Sequence, residues 1–256
     1  MTSENGSSVM ASIDEMMYSV GVETLHPGGL EKTLEMADAC KITKGSKVLD
    51  IGSGKGVTAI RLAQKYGCTV VGADMSKAMT DYAKTSAETK GLSQQINFMN
   101  IDAHQLPFGD KTFDVVFAEC STVLMDKEKA FKEFVRVTKS GGYVADLEMC
   151  WRKPPDRKTV DRAFEIWEGF STMTFEGWRD FFVEMELTEI RINDFSDKLR
   201  NMTTLYIKAL GVMGILKISW RMLKNKSLRK AMLEYDKFFN DNKEYIGYGY
   251  FVGRKE

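Results

Sequence analysis

The sequence has few of the residues that metal centres and disulfide frameworks need. It contains two histidines and four cysteines, and no two cysteines form a Cys-x-x-Cys pair. A zinc site or a disulfide-rich secreted domain requires such residues at close spacing. The pattern therefore favours a cytoplasmic protein with reduced thiols and no bound metal.

An excess of either charge is also absent. Lys and Arg number 36, and so do Asp and Glu, which gives a net charge of zero over 256 residues. Because the chain is not basic, there is no electrostatic reason to expect nucleic acid as a partner. A chain of this length can bury one large core, or one core with a modest cap.

Long hydrophobic runs are absent as well. Residues 1–12 are polar and contain no apolar signal-peptide core, so we predict a flexible tail there. The longest apolar stretch, Leu205–Leu223, is interrupted by Lys208 and Lys217, whereas a membrane-spanning helix needs about 20 largely uncharged residues. We expect this stretch to form the core of a helical lid. Lining an apolar substrate pocket and contacting a membrane surface are the alternatives.

Strand and helix patterns alternate between residues 47 and 150, which is typical of an α/β fold. The alternation predicts a doubly wound parallel sheet covered on both faces, with ligands at the carboxyl ends of its strands. Ser76 is the predicted N-cap of the second helix, and Gly141-Gly142 is predicted to precede the fifth strand. The strand-like runs are Lys47–Ile51, Thr69–Ala73, Ile96–Met99, Phe113–Ala118 and Tyr143–Glu148.

The pattern changes after Pro154-Pro155. Residues 187–193 alternate like a strand, residues 195–244 are mostly helical, and residues 245–255 have the pattern of a last strand. We therefore predict one domain made of residues 13–194 and 245–256, with residues 195–244 inserted as a helical lid between its last two strands.

The most informative segment is Val48–Gly56, a short apolar strand that runs into a glycine-rich turn and then a helix. Asp50 precedes three glycines that fall at every second residue, Gly52, Gly54 and Gly56. Glycines at this place let a ligand approach the backbone closely, at a helix end where amides are unpaired. On its own, the segment indicates a nucleotide-like ligand.

This segment resembles motif I of the class I S-adenosylmethionine-dependent methyltransferases. The resemblance continues through Val70–Ser76, Asn100–Phe108, Phe113–Glu119 and Val135–Gly142, and it covers roughly residues 45–150. It implies a Rossmann-like sheet of seven strands with the last strand antiparallel, an N-terminal helical cover, and S-adenosylmethionine as the cofactor.

The same resemblance assigns roles to individual residues. Asp74, at the end of the second strand, would accept hydrogen bonds from both ribose hydroxyls, as one carboxylate can. Asp102 would bind the adenine amine, beside the backbone of Ala103. The other residues expected at the cofactor are Tyr18, Asp50, Gly52, Ser53, Gly54, Gly56, Met75 and Glu119.

Two residues are candidates for chemistry on the acceptor. His26 lies in Leu25–Leu30, which resembles a segment preceding motif I in the ubiquinone/menaquinone-type and arsenite-type branch; it is either a general base or a helix-entry residue. Cys120 follows the fourth strand, where arsenite methyltransferases place a metalloid-binding thiol. A small buried residue is the alternative for Cys120, because no cysteine follows Cys150.

The expected reaction is methyl transfer to a small-molecule acceptor, with lipophilic acceptors such as quinones included. Because the sulfonium already activates the methyl group, the main tasks of the protein would be to align the reactants and exclude water. A nucleotide-dependent oxidoreductase on a similar sheet is one alternative, although its glycine spacing would be Gly-x-Gly-x-x-Gly. A non-catalytic cofactor-binding module is the other.

Overall fold

A computed structural model describes residues 26–256, except for the side chains of residues 199–209. Seven strands form one sheet in the order β3-β2-β1-β4-β5-β7-β6. Strand β7 is antiparallel to both of its neighbours, and the other pairs are parallel. The predicted α/β sheet with an antiparallel last strand is confirmed. The strands are β1 Lys47–Ile51, β2 Thr69–Asp74, β3 Ile96–Asn100, β4 Phe113–Glu119, β5 Thr138–Trp151, β6 Leu187–Asp194 and β7 Ile246–Lys255.

Helices cover both faces of the sheet and create two apolar cores. On one face, α2 contributes Ile60 and Leu62 to a core that also contains Met36 of α1. On the other face, Phe131 of α4 packs against Trp178 of α6, with ring centroids 6.0 Å apart. The helices are α1 Gly29–Ala39, α2 Val57–Tyr66, α3 Lys77–Thr89, α4 Lys127–Val137, α5 Arg157–Ile166, α6 Phe175–Glu184, α7 Met202–Lys224 and α8 Lys226–Asp241.

Polar side chains define where several helices begin. The Ser76 hydroxyl accepts a hydrogen bond from the Met79 amide, which confirms the predicted N-cap of α3. The Asp126 carboxylate caps α4 in the same way. These caps satisfy amides that have no partner inside the helix, so the two helices start immediately after β2 and shortly after β4.

The start of β5 differs from the prediction. Gly141 and Gly142 lie inside the strand, which begins at Thr138, and its pairing with β4 slips between Phe113 and Val115. A Cβ on Gly142 would lie 2.6 Å from the carbonyl oxygen of Asp114, so the two backbones approach too closely for any larger residue. The glycines therefore mark an irregularity within the strand, and the prediction of a preceding loop was wrong.

The insertion between β6 and β7 is helical, as predicted; its helix α8 buries Leu228 and Phe238, but the apolar residues of the second half of α7 are not a core. Helix α7 is interrupted at Gly211, where φ is 57° and ψ is −178°. Beyond it, Val212, Trp220 and Leu223 are 75%, 61% and 72% exposed, so the expectation of a lid core is wrong for this part of the stretch. In the part of the chain that the structure describes, no helix has the length and apolarity to cross a membrane.

Candidate functional site

The glycine-rich turn at the carboxyl end of β1 is fixed to β2 by its backbone. The amides of Gly52 and Ser53 both donate to the carbonyl oxygen of Ala73, at 2.8 and 3.1 Å. Gly52, Gly54 and Gly56 have φ values of 66°, 49° and 77°, in the left-handed region that favours glycine. The turn thus needs glycine at three alternate positions.

The three glycines differ in how much space a side chain would have. A Cβ on Gly52 would lie 2.5 Å from Cβ of Ser121, and one on Gly56 would lie 2.5 Å from the ring of Phe98. Among the described residues, a Cβ on Gly54 would meet nothing closer than the carbonyl oxygen of Gly52, at 3.9 Å. Two of the glycines are therefore required by protein packing, whereas Gly54 borders open space that a ligand can use.

Asp74 connects this turn to the end of β2. Its Oδ2 accepts a hydrogen bond from the Gly54 amide and its Oδ1 accepts one from the Ser76 amide, both at 2.8 Å. The side-chain amide of Asn100 donates to the carbonyl oxygens of Asp74 and Met75, at 2.9 and 2.7 Å. The carboxylate is held rigidly, and each of its oxygens can accept a further hydrogen bond. The neighbouring Met75 side chain is 71% exposed.

Three buried oxygens near the turn have no hydrogen-bond partner among the described residues: Asp50 Oδ2, Ser53 Oγ and Glu119 Oε1. Each such atom costs about 1–3 kcal/mol when left unsatisfied. Burial, together with the nearby charges of Glu119 and Asp74, raises the pKa of the Asp50 carboxyl well above its ordinary value. The site therefore has unused acceptors and a surplus of negative charge, which suits a cationic ligand.

His26 and Glu119 meet above the end of β4. Glu119 Oε2 accepts a hydrogen bond from the Thr58 hydroxyl at 2.6 Å, and its Oε1 lies 3.8 Å from His26 Nε2. His26 is buried, with Nδ1 3.2 Å from the Pro27 carbonyl oxygen and Nε2 3.3 Å from the Thr33 hydroxyl. Since the carbonyl can only accept, we assign the neutral ring a proton on Nδ1, which leaves Nε2 as the acceptor.

Asp102 is hydrogen-bonded to His104, two residues further along the chain. Its Oδ1 accepts hydrogen bonds from the amide and Nδ1 of His104, at 2.9 and 2.7 Å. Chiefly through the amide bond, this contact lowers the pKa of Asp102. His104 Nε2 accepts the amide hydrogen of Asp126 at 3.1 Å, so His104 joins the loop after β3 to the start of α4. Ala103 between them is buried.

The remaining candidates are Cys120 and Tyr18. Cys120 directly follows β4 and has a φ of 49°, rare for a residue other than glycine; its amide donates to the Leu147 carbonyl oxygen at 2.8 Å. Such a backbone is held in place by its surroundings and is common at functional sites. Tyr18 lies outside the described residues.

Comparisons with known proteins place this geometry in a family. Residues 48–142 match a family model described as a methyltransferase domain. GfsG, a methyltransferase of Streptomyces halstedii, is 32% identical over 154 residues, which cover 60% of this chain and 54% of GfsG. The ubiquinone/menaquinone biosynthesis C-methyltransferase UbiE of Idiomarina loihiensis is 32% identical over 133 residues, covering 51% of this chain and 52% of UbiE. Residues 48–142 therefore form a methyltransferase domain of the class I S-adenosylmethionine-dependent type.

Solved structures share the fold of this chain. Phosphoethanolamine N-methyltransferase 2 of Haemonchus contortus aligns with a TM-score of 0.80 at 17% identity, over 96% of this chain and 57% of that chain. The [4+2]-cyclase SpnF aligns with a TM-score of 0.78 at 22% identity, over 95% and 92%. The chain spans about half the length of GfsG.

Sequence reasoning missed a pair of buried acids on β5. The Thr122 hydroxyl lies 2.6 Å from Asp146 Oδ2 and 3.2 Å from Glu148 Oε2. Burial raises the pKa values of both carboxyls, the Glu148 value to about 7. Lys127 faces the pair, and its burial lowers the pKa of its ammonium. Two acids at alternate positions of an otherwise apolar strand are the signal that could have revealed them.

Proposed function

We propose that the protein transfers a methyl group from S-adenosylmethionine to a small-molecule acceptor. The observation that carries this proposal is the open space over Gly54, bordered by unpartnered oxygens of Asp50, Ser53 and Glu119. A ligand with an ammonium and a sulfonium would satisfy those oxygens and offset the surplus of negative charge. When bound, the cofactor supplies a methyl group activated by its positive sulfur.

The protein's own residues would divide the binding of that cofactor among themselves. The Gly52–Gly56 turn would face its methionine end, because that is where the buried acceptors converge. Asp74 has one acceptor position left on each oxygen, which suits two adjacent hydroxyls. Asp102 keeps an exposed Oδ2 for the adenine amine, while Met75 and Ala103 flank the same edge with apolar surface.

His26 is the residue we propose for proton transfer from an acceptor that arrives protonated. Its Nε2 faces Glu119 Oε1 at 3.8 Å, so a proton taken up there would be stabilised by the carboxylate. Thr33 and Pro27 hold the ring from two sides. We propose that Cys120, which follows Glu119, lines the acceptor side of the site.

The acceptor class and the setting of the reaction are also proposals. UbiE is named for quinone biosynthesis and the Haemonchus contortus enzyme for phosphoethanolamine, so a small acceptor, polar or lipophilic, is the class that these names support. We propose residues 13–194 and 245–256 as the catalytic domain and 195–244 as its lid. The buried Cys40, Cys68 and Cys150 form no disulfide, which supports a cytoplasmic location.

Calorimetry with an Asp74 variant tests the cofactor proposal. Asp74→Ala should weaken binding of S-adenosylmethionine and its demethylated product by about 2–3 kcal/mol, because two ribose donors lose a charged acceptor. Asp81→Ala, which removes an exposed acid from α3, serves as the matched control. Tight binding of NAD in place of the sulfonium compound, or unchanged affinity in Asp74→Ala, would contradict the assignment.

Turnover has to be measured separately from binding, since SpnF, which shares this fold, is a cyclase. Incubation with methyl-labelled cofactor and a panel of quinols, amines and phosphorylated amines should transfer label to one of these classes. His26→Asn should then lower the rate more than the affinity for the cofactor. Binding without transfer to any acceptor class would favour a non-catalytic module.

A further inference from the structure

The second half of α7 has an apolar face that points away from the rest of the protein. Along this helix Gly214 is buried, and Ile218 and Met222 are half-buried, so the row i, i+4, i+8 faces the body of the molecule. The opposite side carries five exposed apolar residues, which we call the outer face: Val212, Met213, Leu216, Trp220 and Leu223. Their exposed fractions lie between 58% and 75%.

The surroundings of the outer face are strongly basic. Residues 210–233 include six Lys or Arg and no Asp or Glu, although the whole chain has a net charge of zero. The Nζ of Lys224 lies 5.5 Å from the centre of the Trp220 ring, so cation and aromatic ring share one edge of the face. The six basic residues are Lys217, Arg221, Lys224, Lys226, Arg229 and Lys230.

We propose that the outer face binds the surface of an anionic lipid bilayer, with α7 lying in the plane of the interface. A helix with an apolar face, an exposed Trp and flanking Lys and Arg has the chemistry of an interfacial helix, because acyl chains cover the apolar side chains and headgroups neutralise the cations. Contiguous exposed apolar surface of this kind is otherwise uncommon on a protein.

Charge decides between a bilayer and a second copy of this chain. A symmetric dimer through the outer face would bring together two copies of Lys217, Arg221 and Lys224, the cations of α7 itself, and like charges across an interface oppose association. An anionic bilayer presents the opposite charge to the same residues. The outer face also lies on a different element from Gly54, Asp74 and Glu119, so the proposal does not depend on methyl transfer.

Sedimentation of the full chain with vesicles tests the proposal. We expect binding to vesicles of phosphatidylcholine mixed with an equal amount of phosphatidylglycerol, and little binding to phosphatidylcholine alone. Among the four tryptophans only Trp220 is exposed, so its emission should shift to shorter wavelength with the anionic vesicles. Leu216→Asp should weaken binding roughly tenfold or more, and Lys217→Glu and Lys224→Glu about fivefold each.

Two control variants make the test specific. Val183→Asp changes an apolar residue of α6 that is 57% exposed, and Lys77→Glu reverses an exposed charge on α3. Both should bind vesicles as the unchanged protein does, and all variants should keep its affinity for S-adenosylmethionine. Three results would each overturn the proposal. The protein could bind neutral and anionic vesicles equally, or Leu216→Asp could bind vesicles as tightly as the unchanged protein. The protein could also form a dimer that Leu216→Asp dissociates, without binding vesicles at all.

Discussion

Replacing Gly54 and Gly56 by alanine, one at a time, separates the role of the turn in folding from its role in binding. At Gly56 the backbone has a φ of 77°, and a new Cβ would lie 2.5 Å from the buried Phe98 ring and 3.0 Å from Cβ of Ala83. The left-handed backbone costs an alanine about 1–2 kcal/mol, and the overpacked ring about 1–3 kcal/mol more. We expect Gly56→Ala to lower the free energy of unfolding by about 2–5 kcal/mol.

Gly54→Ala should behave differently, although the two positions are two residues apart. Its φ of 49° carries the same backbone cost, about 1–2 kcal/mol, but no atom of the described residues lies closer to the new Cβ than 3.9 Å. The methyl group would instead occupy the space beside Asp74 that we assign to the cofactor. We therefore expect a modest loss of stability and about a tenfold or greater loss of affinity for S-adenosylhomocysteine.

Urea unfolding and calorimetry on the same preparations measure both quantities. For a chain of this size, Gly56→Ala should also lower the melting temperature by roughly 5–15 °C. The reasoning is refuted if Gly54→Ala proves less stable than Gly56→Ala, or if Gly54→Ala binds the ligand as tightly as the unchanged protein. Equal slopes of the urea transitions would show that the unfolded states are comparable.

Two predictions concern titration. A cationic ligand favours the ionised form of Asp50, whose pKa is raised, so ligand binding should release protons and become tighter as pH rises. Calorimetry in buffers of different ionisation enthalpy measures the number of protons released. Proton uptake on binding, or an unchanged proton release in Asp50→Asn, would contradict this prediction. The folded protein holds a proton on Glu148 that the unfolded chain loses near pH 4.5, so stability should fall as pH rises from about 4.5 to 7. Glu148→Gln should flatten this slope in urea unfolding, and an equal slope in both proteins would exclude Glu148.

The fold could be predicted from the sequence wherever the pattern is local. Apolar runs alternate with amphipathic helices, and Ser76 follows its strand with the spacing of an N-cap, so β1 to β4 lie within one or two residues of the predicted strands and α3 begins at its predicted cap. The start of β5 was not, because Gly141 and Gly142 are typical of loops. Gly142 is needed inside the strand because the backbone of β4 lies too close to it for a side chain, and no local sequence pattern shows that contact.

The same difference between local and long-range features decides which parts of the candidate site could be predicted. The turn and Asp74 follow from spacing along the chain, since each stands at the end of a strand and parallel strands end at one edge. The approach of His26 to Glu119 joins segments 93 residues apart, and it depends on how α1 crosses the sheet. The outward orientation of Trp220 likewise depends on what α7 packs against, which hydrophobicity alone cannot indicate.

The amides at the start of α2 discriminate between ligand classes more sharply than glycine spacing does. A dinucleotide fold uses this helix terminus to bind a pyrophosphate through unpaired backbone amides. Here the amide of Ala59, in the first turn of α2, donates to the carboxyl group of Asp50, and the hydroxyl of Thr58 donates to Glu119. One amide of this terminus and the neighbouring hydroxyl are therefore already bound to acids, and the carboxylate of Glu119 would repel a phosphate. A cationic ligand meets the opposite situation, because Asp50 Oδ2 and Glu119 Oε1 are buried acceptors that it can satisfy. The electrostatics at this terminus therefore favour a sulfonium cofactor over a nicotinamide dinucleotide.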